Sequence, residues 1–187
     1  MNIFHLDRNT VTCARYHNNS HVIKMVLESC QLLSTAHRVN DGTPFEDRTK
    51  TNRRVTRYML SEQTYDSMLY HATHINHPCA VWCRNSIENY TWLWSLTNAL
   101  AKEYSYRYGK THKCERDGLI SMLWVPPAYF PSQGWTEPAQ AMPDECKHSD
   151  AVEAYRTYYR EKKQHLAHWK NRSVPDWYVI KNLTSIS

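Results

Sequence analysis

Glycine is scarce in this chain, with four in 187 residues, and phenylalanine is scarcer at three. So few glycines leave little provision for the positive-φ turns that sandwiches and barrels use at their corners. That points away from an all-β architecture and toward a mainly α one. No run approaches the roughly 18 apolar residues of a membrane-crossing helix, and the opening MNIFHLDRN lacks the apolar stretch of a secretory signal. A soluble, intracellular protein is therefore expected. Closely paired cysteines are also rare. Six Cys, at 13, 30, 79, 83, 114 and 146, are scattered and are expected to be reduced and structural. Cys79 and Cys83, with His74 and His77 nearby, are half of a zinc-type spacing, but no second tight pair completes it. There is no His-Asp doublet for a metal-dependent phosphohydrolase. Neither a metal nor an organic cofactor is expected.

What the chain does have is tyrosine and tryptophan, 13 and 7, whose polar tips suit wet clefts and interfaces better than a dry core. It also has 23 Lys and Arg plus 11 His against 18 acids, which favours a polyanionic partner. The length suits one hydrophobic core, so a single domain is expected over 1–187.

The organising stretch is His21 to Arg38, HVIKMVLESCQLLSTAHR. Its apolar residues cover most of a helix circumference. His21, Lys24, Glu28, Gln31, Thr35 and Arg38 follow one another at steps of three or four and form one narrow polar stripe. Such a stripe is either a thin solvated edge or the lining of a wet cleft, with Glu28 between cations.

Around it, a short extended piece over 2–6 precedes a first helix capped by Thr10, and Asn18, Asn19 and Ser20 offer caps for the principal helix. Residues 43–60 read as a hairpin or arm, with 54–60 its best strand. Arg48, Lys50, Arg53, Arg54 and Arg57 fall within it without an intervening acid, interleaved with Thr49, Thr51, Asn52 and Thr56. That composition is either a solvated loop or a phosphate-contacting arm. Ser61 can cap a short helix to His71. Asn76 or His77 caps the next, with Pro78 in its first turn, and a long helix should run from Ser86 to Tyr108, closed by Gly109. The proline-interrupted segment 111–148 is too aromatic for a linker and reads as an ordered wrap with a helical turn near 119–124. Ser149 should cap a last helix to Lys170, and Pro175, Trp177 and Tyr178 form an aromatic tail.

This order of pieces resembles the phage pyrimidine-dimer DNA glycosylases (the endonuclease V family) and their bacterial relatives. The resemblance rests on His21 and Glu28 seven residues apart on an early helix, on Asn76-His77-Pro78 before a long helix, and on a basic helix followed by Pro175, Trp177 and Tyr178. The motifs HVxKMxLExxQLLSTAHR and ENYxWLxxLxxxLxxEYxxRYGKxHK also make nearly the whole chain similar to a group of uncharacterised phage and giant-virus proteins. The resemblance implies a compact helical domain, a viral origin and the cytoplasm of an infected host cell. It implies DNA as partner, with base extrusion, or else a nucleotide. The family attacks with the α-amine of a small residue, where this chain has Asn2 behind Met1, and Leu27 stands where the family has Arg before its Glu. N-glycosidic chemistry without a lyase step is therefore the expectation.

The chemistry assigns Glu28 as the carboxylate that stabilises charge on the sugar or activates water, with Lys24 or His21 keeping it ionised. His37, Arg38, His77 and Arg84 are candidates for phosphate and base contacts. Arg53, Arg54 and Arg57 form the arm, while Arg107 and Trp177 complete the nucleic-acid-binding set. The competing reading is a DNA-binding or accessory protein without catalysis, in which Glu28 only pairs with Lys24.

Overall fold

A computed structural model describes residues 1–178, so residues 179–187 lie outside the described residues. The fold is mainly α, as expected. Among the described residues it comprises α1 (Thr10–Tyr16), α2 (Asn19–Asp41), β1 (Thr43–Arg48), β2 (Arg54–Met59), α3 (Gln63–Met68), α4 (Pro78–Asn85), α5 (Ile87–Tyr108), α6 (Lys113–Arg116), α7 (Leu119–Met122) and α8 (Ala151–Lys162). None of these helices is long and apolar enough to cross a membrane.

Helix α2 is the hub. Asn18 caps it, its Oδ1 accepting from the His21 amide at 2.9 Å. At the other end a Cβ on Gly42 would collide with the Arg38 carbonyl oxygen, so the chain can leave the helix there only through glycine. Val22, Val26, Cys30, Leu32, Leu33 and Ala36 are fully buried, and the helix packs chiefly against α5 and then α4. Each Val or Leu among them contributes about 1.5–3 kcal/mol by leaving water. Ser86 caps α5, and Gly109, at φ +65°, ends it in the left-handed conformation.

The wrap over 111–148 is held by aromatic side chains whose tips satisfy its backbone carbonyls. The Tyr90 hydroxyl donates to Leu123 O, Trp94 Nε1 to Ile120 O, Trp82 Nε1 to Thr136 O and the Tyr155 hydroxyl to Ala139 O. Asn89, buried in α5, accepts from the Thr136 amide at 3.1 Å and donates to Thr136 Oγ1 at 2.7 Å. An irregular segment buries its peptide groups only when they are paired in this way. The excess of Tyr and Trp over Phe therefore serves the wrap.

Several boundaries differ from the sequence expectation. Asn9, not Thr10, caps α1, its Oδ1 accepting from two amides at 3.0 Å. The short third helix is capped at Glu62 and stops at Met68, because Leu69 turns inward and gives its carbonyl to Arg38. Asp150, not Ser149, caps α8. That helix ends at Lys162 rather than Lys170. Beyond it the chain folds back onto α1 and α2, where His168 O accepts from the Asn19 amide and Trp169 Nε1 donates to Tyr16 O, both at 2.8 Å. Tertiary bonds there outweigh helical periodicity.

The candidate carboxylate site and the basic hairpin

The polar stripe of α2 does not face solvent as a unit. The exposed line runs instead through Ser20, Ile23, Lys24 and Leu27, while His21, Glu28, Thr35 and Arg38 are buried beside it. Glu28 is the anomaly. Lys24 Nζ lies 3.1 Å from its Oε1, an (i, i+4) ion pair. Its Oε2 is shut from solvent and has no hydrogen-bond partner among the described residues. An unpaired buried polar atom costs roughly 1–3 kcal/mol, so a native fold keeps few of them.

The chain start is fixed against α4, the wrap and α8. Asn2 is locked in place, donating to Ala141 O at 2.9 Å and accepting from the Tyr155 hydroxyl at 3.0 Å and from Cys79 Sγ at 3.4 Å. The Met1 ammonium and Glu28 both act on His77 and on Cys79. Burial, then that ammonium and His74, pull His77 below the usual imidazole range, and Glu28 opposes them. His77 also caps α4, its Nδ1 accepting from the Cys79 amide at 3.2 Å, which leaves Nε2 to carry the proton. Glu28 and Lys24 are thus in contact, while His77 and the Met1 ammonium are linked to Glu28 only through its electrostatic field. Glu28 lines none of the five best-formed cavities among the described residues.

Four expected roles are corrected. His21 is not a cationic partner of Glu28. It is buried, stacked on Phe4 at 4.2 Å and bonded through Nδ1 to the Tyr159 hydroxyl, and burial pulls it down to about 3. His37 is not a phosphate contact. Its Nε2 meets the Tyr90 hydroxyl at 3.0 Å, and burial lowers it to about 4. Arg38 is sealed in the fold. It pairs with Asp66 and donates to the carbonyls of Tyr58, Tyr70 and Leu69, so it anchors the base of the hairpin instead of touching phosphate. Arg107 is buried as well. It bonds Glu103 Oε1 at 2.7 Å and donates to the carbonyls of Arg15, in the last turn of α1, and of His17, its C-cap.

Two further candidates are tied up in part. Arg84 donates to Ile75 O at 2.6 Å. Trp177 packs edge-on against Tyr16 and Tyr159, with the Arg156 guanidinium 5.4 Å from its ring centre.

The hairpin keeps its charge accessible. β1 and β2 pair antiparallel from Thr43↔Met59 to Arg48↔Arg54, and the connecting loop tightens through Thr49 and through Asn52 at φ +61°. Arg48, Lys50, Arg53 and Arg54 are exposed at its outer end. Arg57 is half-buried, with its Nε 2.5 Å from Asp47 Oδ2. Sequence patterning treated the five cations alike, whereas cross-strand pairing withdraws one of them.

No group of three or more His, Cys, Asp or Glu side chains that could hold a metal occurs among the described residues. Fold and site together define a mainly α protein with a sheltered carboxylate and a projecting basic hairpin. Comparisons with protein-family models, with curated proteins and with solved structures find no match to this chain.

Proposed function

We propose that this protein acts on DNA at the N-glycosidic bond, with Glu28 as the catalytic carboxylate. The observation that carries the reading is the buried, unpartnered Oε2 of Glu28, whose other oxygen pairs with Lys24. A carboxylate oxygen held dry and unpaired is prepared for a charge that forms only during reaction. Glu28 takes a proton from water as the water oxygen bonds to C1′. The C1′–N bond breaks, the base leaves with the bonding pair and receives the proton that Glu28 took from water, and the carboxylate is restored. Positive charge building on the sugar is stabilised by the same carboxylate. Lys24 balances the carboxylate before the reaction. The exposed cations of the hairpin supply the sequence-independent phosphate contacts that hold the duplex while a base is extruded. Because Oε2 is covered, the sugar reaches it only when a covering side chain moves.

The second reading, a DNA-binding protein without catalysis, draws on the same hairpin. Incubation with duplexes carrying modified or damaged bases, followed by alkaline cleavage of abasic sites, separates the two. Base release lost in E28Q supports the first reading. DNA binding with no release from any substrate supports the second.

A further inference from the structure

A second buried polar side chain faces open space, away from Glu28. His5 is 2% exposed, and burial together with the nearby His17 holds its imidazole well below the usual range and therefore neutral. It lines a cavity of about 190 Å³ walled by Trp92 and Trp135 and edged by Asp7, Glu137 and Asp150. Trp92 stacks on His5 with ring centres 4.1 Å apart, and Trp135 stands at 62° to Trp92 with centres 6.0 Å apart.

The walls are pinned. Trp92 Nε1 donates to Arg8 O at 3.0 Å, and Thr136, next to Trp135, is tied to Asn89. The cavity is assembled from the N-terminal extended piece, α5, the wrap and the start of α8, so it is a product of the whole fold.

Its charge is acidic. Three carboxylates line it against the single guanidinium of Arg8, which bonds Asp150 at 3.2 Å, while Arg156 faces Asp7 at 3.4 Å from outside the cavity. Glu137 is exposed and has no ion pair among the described residues. A phosphate or a carboxylate ligand would meet that negative rim. Indole faces and the unpaired carboxylate of Glu137 together attract an organic cation, and a neutral imidazole at the base can accept from a hydrogen-bond donor.

From this arrangement we infer that the cavity binds an alkylammonium ion that retains at least one N–H, its alkyl groups on Trp92 and Trp135 and its N–H toward His5. Both a free amine and a lysine side chain carry this chemistry.

Tryptophan fluorescence during titration tests the inference. The probes are butyldimethylammonium chloride, the neutral alcohol 2-methyl-2-hexanol of similar size, and a short peptide containing dimethyllysine. Saturable quenching by the ammonium but not by the alcohol is expected, weakened about fivefold or more in E137Q and in W135L. Both substitutions are at exposed positions, so the fold is kept. Tighter binding of the peptide assigns the lysine side chain as source, and tighter binding of the free amine assigns the small molecule. An equal response to the alcohol, no saturable response to either ammonium probe, or binding untouched by both substitutions overturns the inference.

Discussion

Lys24 Nζ sits 3.1 Å from one oxygen of Glu28, a single helical turn away, and the other oxygen of that carboxylate has neither solvent nor a partner among the described residues. The pair is lopsided: the lysine is exposed while the glutamate is buried. Lys24 therefore acts on Glu28 as an electrostatic partner.

That role predicts a difference between two substitutions. K24R keeps the charge and should retain most base release and stability, whereas K24M should lower the rate and also the melting temperature, because it leaves the buried Glu28 carboxylate without its ion pair. Single-turnover rates on a responsive duplex check this. If Arg fails as completely as Met, Lys24 is the nucleophile and the electrostatic role is wrong.

In the hairpin, Arg53 and Arg54 are exposed while Arg57 is held by Asp47. R53A/R54A should weaken binding to all duplexes by a similar factor and flatten the plot of log affinity against log salt by up to about two units, while R57A changes it little. Equal slopes for wild type and R53A/R54A would show that the hairpin is only a solvated loop.

Arg107 bridges α5 and the end of α1, and its removal would leave Glu103 buried with Arg172 as its one remaining ion-pair partner among the described residues. R107A should cost about 3–5 kcal/mol, the usual loss on breaking a buried pair. The midpoint of urea unfolding measures it. A loss under about 1 kcal/mol would contradict the account of Arg107 as a structural clamp.

Four buried imidazoles make stability depend on pH. Burial lowers His5, His17, His21 and His37, with His17 near 4, His21 near 3 and His37 near 4. Each folded value lies below the unfolded one, so the unfolded chain binds the extra proton. Their stabilisation is fully present above about pH 6.5 and is lost as pH falls from there toward 4, at up to roughly 1 kcal/mol per pH unit for each histidine. Melting temperature should therefore drop steeply between pH 7 and pH 5, and H37Q should flatten the slope by about a quarter. A melting temperature constant over that range would refute the neutral, buried assignment.

Much of this fold is legible in the sequence because it rests on local signals. The α2 periodicity, Ser86 before α5, Pro78 at the start of α4 and Gly109 at the end of α5 all act within a turn or two of themselves. The arm with its strand over 54–59 follows from composition in the same way. What was not legible depends on partners remote in sequence. Arg38 and Arg107 look like surface cations until Asp66, Glu103 and the carbonyls they seal are brought to them. His21 reads as a cation until Phe4 and Tyr159 enclose it. The His5, Trp92 and Trp135 cavity joins three distant segments, and its one sequence signal is the excess of tryptophan over phenylalanine. Glu28 stands between these cases. Its spacing marked it, but the orphaned oxygen is a product of packing.

The most direct test of the central claim measures base release and DNA affinity side by side for wild type and E28Q. The amide has nearly the shape of the carboxylate, and its ion-pair partner is exposed, so stability should change by no more than about 1 kcal/mol, or a few degrees in melting temperature. The account predicts that E28Q binds the duplex as tightly as wild type but releases base at least about a hundredfold more slowly. Borohydride added during wild-type turnover should leave protein and DNA separate. Wild-type release by a folded E28Q would contradict Glu28 as the catalytic group, and unfolding of E28Q would make it a structural partner instead.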